Sequence, residues 1–394
     1  MKYEMNNTEL TIYLSGRISS DNSMNLEKEI QNTIADNSHT KLYIDADELE
    51  YISSAGLRIL IKLAKTEKGM KIVNVSRDVF DIFEVTGMNK ILDISRKRRK
   101  ISLENAQLIG SGFFSNVYRL DKDTIVKVFI RDTDFDNVER EMELCKSAFL
   151  MGVPTAISYD IIEADGKPGA VFEMLDCELL RDVIVNDREH KDMYIKKYAG
   201  LVRELGKTDV GDSLLPSAKQ VAIDKFKTVS EYLDKSENEK LRIMLENIPD
   251  KTTFVHGDCQ IKNIMVREDE MLLIDMDTLS YGDPLFELAS MYACYEDFIY
   301  ANPVSSTEFL GLSGNEESVK IYEDIHKYYF EGLSKEDSDS NYSKIELFSA
   351  FHMVWWITVN KAFEDKKEYF INKLKNQLKE VDNLIIKYND DCND

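Results

Sequence analysis

The sequence predicts two domains: an α/β domain at the N-terminus, then an α+β domain with a small mixed lobe and a mainly helical lobe. Three observations lead to this prediction. Before residue 95, short segments with strand-like alternation of apolar residues are separated by segments with helical spacing. From residue 105 to about 174, strand-like segments surround one helical segment. From about residue 190 onward the pattern is mostly helical.

The spacing of apolar residues predicts each strand and helix of the N-terminal domain. Apolar residues alternate with polar ones in residues 10–14 and 42–46, as in strands. Residues 25–35 and 57–64 instead place apolar side chains one turn apart, which is typical of a helix with one buried face. Another strand is predicted at residues 72–75. Strands separated by helices indicate a small α/β domain.

The basic run Arg96–Lys100 marks the predicted domain boundary. Two interpretations of this run stay open: a solvated linker, or a patch that binds an acidic partner or nucleic acid. The expected division of the chain is the N-terminal domain at 1–95, a basic linker at 96–104, the mixed lobe at 105–176 and the helical lobe at 177–394.

Composition narrows the range of functions. The 394 residues include 50 Lys and Arg against 72 Asp and Glu, which gives a formal net charge of −22. This acidity argues against general nucleic-acid binding and against docking on an anionic membrane. It suits a cationic small substrate, and it suits plain solubility equally well. No segment approaches the roughly 20 apolar residues of a membrane-spanning helix.

Cysteine usage and the N-terminus predict a cytoplasmic protein. The five cysteines are scattered and form no Cys-x-x-Cys pair, so the sequence indicates neither a disulfide framework nor a zinc site. Residues 1–10 contain no apolar segment of the kind found in secretory signals.

The strongest chemical signal is residues 255–265, VHGDCQIKNIM, followed by the strand-like run 272–277, LLIDMD. Phosphoryl transfer needs a carboxylate that orients or deprotonates the attacking hydroxyl, and oxygen ligands for Mg²⁺. Asp258 is suited to the first task, and Asn263 and Asp275 to the second. The alternative is that these residues cap a turn and close a strand. It explains each residue singly but not the ordered set.

Residues 108–118, LIGSGFFSNVY, predict a loop that covers a nucleotide. Gly110 and Gly112 let the backbone approach phosphates that a Cβ atom would obstruct. Ser115 stands where a third glycine is common, and its hydroxyl could help to hold the phosphates. An ordinary hairpin is the alternative interpretation.

Lys127 lies on the next predicted strand, between apolar neighbours. Behind a glycine loop it is a credible anchor for the α- and β-phosphates of a nucleotide. The following helix carries Glu139 and Glu141, and one of these carboxylates would pair with the lysine.

These segments resemble the aminoglycoside phosphotransferase and choline kinase group of kinase-like enzymes, over residues 105 to about 380. The residues that carry the resemblance are Gly110-Ser111-Gly112, Lys127, Val138-Glu139-Arg140-Glu141, His256-Gly257-Asp258, Asn263 and Ile274-Asp275. The resemblance implies a two-lobed protein-kinase-like fold with ATP and Mg²⁺ as cofactors.

The resemblance also implies a role for each matching residue. Lys127 would hold the phosphates and pair with Glu141. Asp258 would be the catalytic base, while Asn263 and Asp275 hold Mg²⁺. The loop residues Gly110, Ser111, Gly112 and Ser115 would cover the nucleotide.

The hinge that binds adenine would be Glu173-Met174-Leu175, by the same resemblance. Asp283 would brace the catalytic loop. Asp277 is either a second carboxylate beside the metal or a local cap.

The chain departs from the family pattern at two places. Leu205-Gly206 stands where Leu-His is common, and Cys259–Lys262 replaces the usual aromatic, His or Pro residues of the catalytic loop. The resemblance therefore covers the nucleotide half of the site and does not specify the acceptor.

The N-terminal domain has its own resemblance, to STAS domains (sulfate transporter and anti-sigma factor antagonist). It is carried by residues 45–60, DADELEYISSAGLRIL, within residues 1 to about 95. The resemblance implies a protein partner and a phosphorylation site at the helix start, with Ser54 as the first candidate and Ser53 as the second. The alternative is that both serines only cap the helix.

Together these features predict a phosphotransferase that moves the γ-phosphoryl group of ATP to a hydroxyl of a small molecule. An aminoglycoside, amino sugar or amino alcohol is the expected acceptor, with the STAS module serving regulation or partner binding. Two alternatives stay open: a nucleotide-sensing interaction protein, and a kinase that acts on an STAS-domain serine.

Three segments of the helical lobe carry further expectations. The acidic, serine-rich segment 334–342 predicts an exposed loop between helices. Trp355 and Trp356 are expected to pack in the core rather than bind a ligand. Residues 292–297 contain two tyrosines and two acids that could line an acceptor pocket or belong to a core helix.

Overall fold

The chain divides into two compact units in a computed structural model that describes residues 1–112, 114–131, 133–211, 215–268, 270–302, 308 and 310–381. The first unit comprises residues 1–102 together with Ile162–Gly166, and the second comprises Leu103–Ile161 and the chain from Lys167 on. Phe113 of the glycine-containing segment and Cys392 lie outside the described residues.

The first unit is the predicted α/β domain. Its sheet has the strand order β1-β2-β3-β4-β5; β1 is antiparallel to β2, and the remaining pairs are parallel. The elements are β1 (Lys2–Asn6), β2 (Glu9–Ile18), α1 (Ser20–Asp36), β3 (Lys41–Ile52), α2 (Ser54–Thr66), β4 (Lys71–Val75), α3 (Arg77–Val85) and β5 (Asp93–Arg96).

Alternation along the strands creates the core of this unit. Ile12, Ile44 and Ile72 are almost fully buried on three neighbouring strands, and the apolar face of α2 packs against the same core. Gly56 is where α2 meets the sheet, because a Cβ atom there would lie 2.6 Å from the side chain of Ile52. This close approach explains the glycine that follows the two serines.

The basic run is partly strand. β6 (Arg99–Ile101) pairs in parallel with residues Ile162–Ala164 of the first unit. Arg96 ends β5 and Arg99 begins β6, so the run does not form one extended linker.

The second unit begins with a mixed β-sheet and one helix. Strands β10, β11, β9, β8 and β7 are neighbours in that order, and the pairs β7–β8, β8–β9 and β9–β11 are antiparallel. The elements are β7 (Gln107–Ser111), β8 (Ser115–Arg119), β9 (Thr124–Phe129), α4 (Phe135–Leu150), β10 (Ser158–Ala164) and β11 (Lys167–Glu173). Of β10, the residues up to Ile161 belong to this unit.

The remainder of the second unit is mainly helical, as predicted. Its helices are α5 (Leu180–Asn186), α6 (Lys191–Leu205), α7 (Ala218–Val229), α8 (Lys235–Asn247), α9 (Leu285–Tyr292), α10 (Phe298–Ala301), α11 (Asn315–Tyr329), α12 (Lys335–Asn360) and α13 (Lys367–Leu378). Short strands lie among them: β12 (Glu178–Leu179), β13 (Phe254–Val255), β14 (Ile264–Arg267), β15 (Glu270–Leu273) and β16 (Ser280–Tyr281). Within the described ranges, no helix combines the length and the apolar character that crossing a membrane requires.

The prediction of a loop at residues 334–342 is wrong, because α12 begins at Lys335. The Ser334 hydroxyl accepts a hydrogen bond from the backbone N–H of Asp337 at 3.1 Å and so caps the helix. Glu336 and Asp337 lie in the first turn, where acidic side chains favour the helix dipole. A polar, acidic segment is therefore compatible with a helix start.

Candidate active site

One large cavity of the second unit, about 1460 Å³ in volume, contains every residue predicted for the phosphotransferase site. Those residues are Gly110, Ser111, Gly112, Ser115, Lys127, Glu141, Glu173, Leu175, Asp258, Asn263 and Asp275. They come from strands, helix α4 and loops that lie far apart in the sequence.

Lys127 bridges two carboxylates in this cavity. Its Nζ atom lies 2.7 Å from Oε1 of Glu141 on α4 and 2.5 Å from Oδ1 of Asp275. Burial alone would lower the pKa of Lys127, but the charges of Asp275 and Glu141 raise it above its ordinary value. The lysine therefore keeps its positive charge. Of the two glutamates that the sequence offered, Glu141 is the one in contact.

The catalytic loop turns sharply at Gly257, which has a φ of 82°. A Cβ atom at this position would lie 2.8 Å from the backbone oxygen of Thr278, so only glycine fits without movement. His256 ties the loop to the next strand: its Nε2 lies 3.1 Å from the carbonyl oxygen of Ile274, while its Nδ1 accepts the N–H of Asp258 at 3.3 Å. Burial lowers the pKa of His256, so the ring is neutral.

Asp258 is held by two amide side chains. Asn263 donates from Nδ2 to Oδ2 of Asp258 at 2.7 Å, and Gln260 donates from Nε2 to both carboxylate oxygens at 3.2 Å. Desolvation and the nearby charge of Asp275 raise the pKa of Asp258 to about 8. Gln260 thus supports the carboxylate at a position where the sequence departs from the family pattern.

Glu287 is a functional residue that the sequence analysis missed. This buried carboxylate on α9 accepts the backbone N–H groups of His256 at 2.5 Å, Gly257 at 3.0 Å and Cys259 at 3.2 Å. It therefore fixes the loop on both sides of Asp258. Asp283, which was expected to brace the loop, instead accepts the N–H of Leu285.

The oxygen ligands needed for Mg²⁺ are available in this cavity. Within the described residues, both hydrogen bonds of the Asn263 side-chain amide are donated from Nδ2 to Asp258, and no donor reaches its Oδ1 atom. Asp275 supplies a carboxylate from a backbone with a φ of 67°, an uncommon conformation that often marks a functional position. The described residues contain no cluster of three His, Cys, Asp or Glu side chains that could hold a metal. Mg²⁺ commonly needs only one or two protein oxygens besides phosphates and water.

The glycine-containing loop and the hinge segment line the same cavity. Gly112 donates its N–H to the carbonyl of Ser115 at 2.8 Å, which closes the turn between β7 and β8. In the hinge, the N–H of Met174 is bonded to the carbonyl of Asp123, whereas the N–H of Leu175 has no acceptor among the described residues.

The two tryptophans lie between the helical core and the cavity. Trp355 and Trp356 pack against the helical core, as expected, and they also line the cavity. Residues 292–297 include the buried side chains of Tyr292 and Tyr295. The Tyr295 hydroxyl accepts the N–H of Ile261 at 3.0 Å, so it supports the catalytic loop from within the core.

The serines of the first unit differ in exposure. Ser54 is exposed at the start of α2. Ser53 occupies the cap position, but its side chain makes no cap hydrogen bond, and its Oγ atom is buried without a partner among the described residues.

Comparison with protein families matches both units. The profile described as "Phosphotransferase enzyme family" matches residues 105–305, and the profile described as "Mlab, STAS domain" matches residues 1–93. Both matches confirm the resemblances drawn from the sequence.

Individual relatives are distant. The "Putative anti-sigma factor antagonist BtrV" of Bordetella bronchiseptica is 29% identical over 89 residues, which cover 22% of this chain and 76% of that protein. A choline/ethanolamine kinase family protein from Mesorhizobium loti is 13% identical, with a TM-score of 0.44 over 71% of this chain and 87% of that one. A thermostable mutant of aminoglycoside phosphotransferase APH(4)-Ia, solved with ADP and hygromycin B, is 12% identical, with a TM-score of 0.48 over 70% and 94% of the two chains.

Proposed function

Since this chain belongs to the phosphotransferase enzyme family, we propose that it transfers the γ-phosphoryl group of ATP to a hydroxyl group of a small molecule, with Mg²⁺ as cofactor. The observation that carries the proposal is the arrangement around Lys127. One cavity joins this lysine with Glu141 and Asp275, and the same cavity contains Asp258 with its amide partners.

In the proposed reaction, a lone pair of the acceptor hydroxyl forms the new bond to the γ-phosphorus. The bond from that phosphorus to the bridging oxygen of ATP breaks, and ADP leaves with the electron pair. Asp258 accepts the hydroxyl proton. Its raised pKa suits this task, because a base is most effective when its pKa lies near the working pH.

Positioning of the nucleotide falls to four parts of the second unit. The positive charge of Lys127 would hold the phosphates once Asp275 turns to the metal, and Glu141 would keep the lysine in place. The turn at Gly112 would cover the phosphates, and the N–H of Leu175, which has no acceptor among the described residues, would bind the adenine base. Asn263 and Asp275 would hold Mg²⁺, which neutralises the charge that develops on the phosphoryl oxygens.

For the first unit, we propose that it binds a protein partner and that phosphorylation of Ser54 changes this binding. Ser54 is exposed at a helix N-terminus, where a phosphate is tolerated by the helix dipole and alters the surface charge.

The test uses the purified full chain. Calorimetry should detect ATP binding that depends on Mg²⁺, and ADP should form when a panel of hydroxyl compounds is added. Asp258→Asn should retain nucleotide binding and lose about 10²- to 10⁴-fold in turnover, which is the usual contribution of a general base.

Asp250→Asn is the matched control, because Asp250 pairs with Lys219 outside the cavity. Nucleotide binding that is absent, or turnover that survives in Asp258→Asn, contradicts the proposal. Phosphopeptide mapping of residues 51–57 after the same incubation tests whether the chain modifies Ser54 itself.

A further inference from the structure

Three helical segments line a part of the cavity that contains none of the residues predicted to bind the nucleotide. We call it the acceptor end and define it by Lys225 on α7, Phe298 at the start of α10, and His352, Trp355 and Trp356 on α12. None of the residues predicted to hold ATP or Mg²⁺ lies on these helices. In the proposed reaction the hydroxyl compound therefore occupies this end.

Lys225 is the unusual group of the acceptor end. Its Nζ atom lies 3.2 Å from Nδ1 of His352 and 4.3 Å from the ring centre of Trp355. No ion pair joins it to a carboxylate of the described residues, and the neighbouring Asp224 pairs instead with Lys227 at 2.7 Å. Desolvation lowers the pKa of Lys225 to about 8. An ammonium group in such surroundings costs stability unless an anion compensates it.

His352 adds a second hydrogen-bond donor beside the lysine. Burial, followed by the charge of Lys225, lowers the pKa of His352 well below its ordinary value, so the ring is neutral. Because Nδ1 accepts the hydrogen bond from Lys225, the ring proton is on Nε2. The pair thus offers donors from both side chains.

Aromatic rings surround this pair. Phe298 and Trp356 meet edge to face at 4.8 Å, and Trp356 stacks on Phe363 at 5.8 Å. The face of Trp355 that could attract an ammonium group of a substrate already has Lys225 above it. A cationic acceptor would be repelled by the charge of Lys225, whereas the apolar part of a substrate would pack against the aromatic rings.

Resting on the phosphotransferase reaction proposed above, we propose that the acceptor is a hydroxyl compound with an aromatic or aliphatic body and an anionic group. Lys225 and His352 bind the anionic group, and the rings of Phe298 and Trp356 contact the body. The same phosphoryl transfer then takes place at the hydroxyl. This substrate class differs from the amino sugars and amino alcohols that the family resemblance and the overall acidity led us to expect.

The test compares three probes of matched size on the full chain loaded with Mg²⁺ and a non-hydrolysable ATP analogue. Phenyllactate carries a carboxylate, phenylpropanediol is neutral, and phenylalaninol carries an ammonium group. Phenyllactate should bind most tightly in calorimetry and raise the melting temperature most. A melting shift by phenyllactate no greater than those of the other two overturns the proposal.

Lys225→Met keeps the length of the side chain and removes its charge. It should weaken phenyllactate binding about 10- to 100-fold, the effect of one hydrogen bond to a charged group, and leave binding of the ATP analogue unchanged. Lys227→Met, on the exposed side of the same helix, should change neither. Equal affinity of Lys225→Met and wild type for phenyllactate also overturns the proposal. Failure of the wild type to bind the ATP analogue with Mg²⁺ is a separate result, which refutes the phosphotransferase reaction itself.

Discussion

Glu287 offers the sharpest test of how the catalytic loop is held. Its carboxylate accepts three backbone N–H groups, from His256, Gly257 and Cys259. Glu287→Gln keeps the shape and one oxygen atom but turns an NH₂ group towards at least one of these donors. The free energy of unfolding should fall by about 2–4 kcal/mol, because a hydrogen bond to a charged group contributes about 1.5–3 kcal/mol and an unsatisfied buried donor costs a similar amount.

The same substitution should affect catalysis through position rather than contact. Asp258 lies between the bonded residues, so a displaced loop misaligns the base, and kcat should fall about 10- to 100-fold. Nucleotide affinity should stay unchanged, because the hydrogen bonds of Glu287 within the described residues go to the catalytic loop and not to Lys127 or the hinge. A fall in kcat without a change in nucleotide affinity separates this positioning role from general unfolding.

Urea denaturation followed by tryptophan fluorescence is the appropriate stability assay, since both tryptophans of the chain, Trp355 and Trp356, lie in the second unit. Glu346→Gln is the matched control, because among the described residues Glu346 accepts hydrogen bonds from the neutral groups of Tyr292 and Gln377 and from no others. This variant should lose less stability. If Glu287→Gln retains wild-type stability and kcat, the carboxylate does not fix the loop, and this explanation is refuted.

Two further predictions concern backbone conformation and pH. Gly257→Ala should lower the free energy of unfolding by about 2–4 kcal/mol, because alanine disfavours the left-handed backbone and its Cβ atom would collide with Thr278. Gly152→Ala is the control, since Gly152 has a similar φ of 81° but open space around it. In the same denaturation assay this variant should show the cost of the backbone conformation alone. Burial opposes ionisation of Glu317, but its bond to Lys191 and the donors of Ser313 lower its pKa from 4.5 to about 2. A carboxyl group whose pKa is lowered in the folded state stabilises the protein at pH values above its unfolded-state pKa. The difference in the free energy of unfolding between wild type and Glu317→Gln should therefore shrink as the pH falls from about 4.5 towards 2. A difference that stays constant across this range contradicts the prediction.

Local patterns explain why much of the architecture was predictable. The alternation that buries Ile12 and Ile44 is a property of each strand, and the helical face from Leu57 to Leu63 is a property of one helix. The loop with Asp258 and Asn263 is equally local, because a separation of five residues keeps the two side chains close to each other. Lys127 and Asp275 are distant in sequence, but the requirements of phosphoryl transfer link them, and the structure shows them in contact.

Residues whose role depends on tertiary contacts escaped prediction. In the sequence, Glu287 is an acidic residue within an apolar helical segment, and nothing local indicates a role for it. Its three backbone donors become apparent only where α9 packs against the catalytic loop. Asp283 was expected to brace the loop because of the family resemblance, yet its side-chain partners are Leu285 and Lys251. The helix that starts after Ser334 was missed because composition outweighed its capping signal.

The net charge of the chain misleads about recognition inside the cavity for a similar reason. Surface charges are screened over about 10 Å, so the 22 excess acids act weakly on a buried ligand. Three carboxylates of the catalytic centre are already engaged: Glu141 and Asp275 by Lys127, and Asp258 by its two amide partners. Lys225 is the charged group of the acceptor end that lacks an opposite charge among the described residues. The local field at this end therefore favours an anion, although the chain as a whole is strongly acidic.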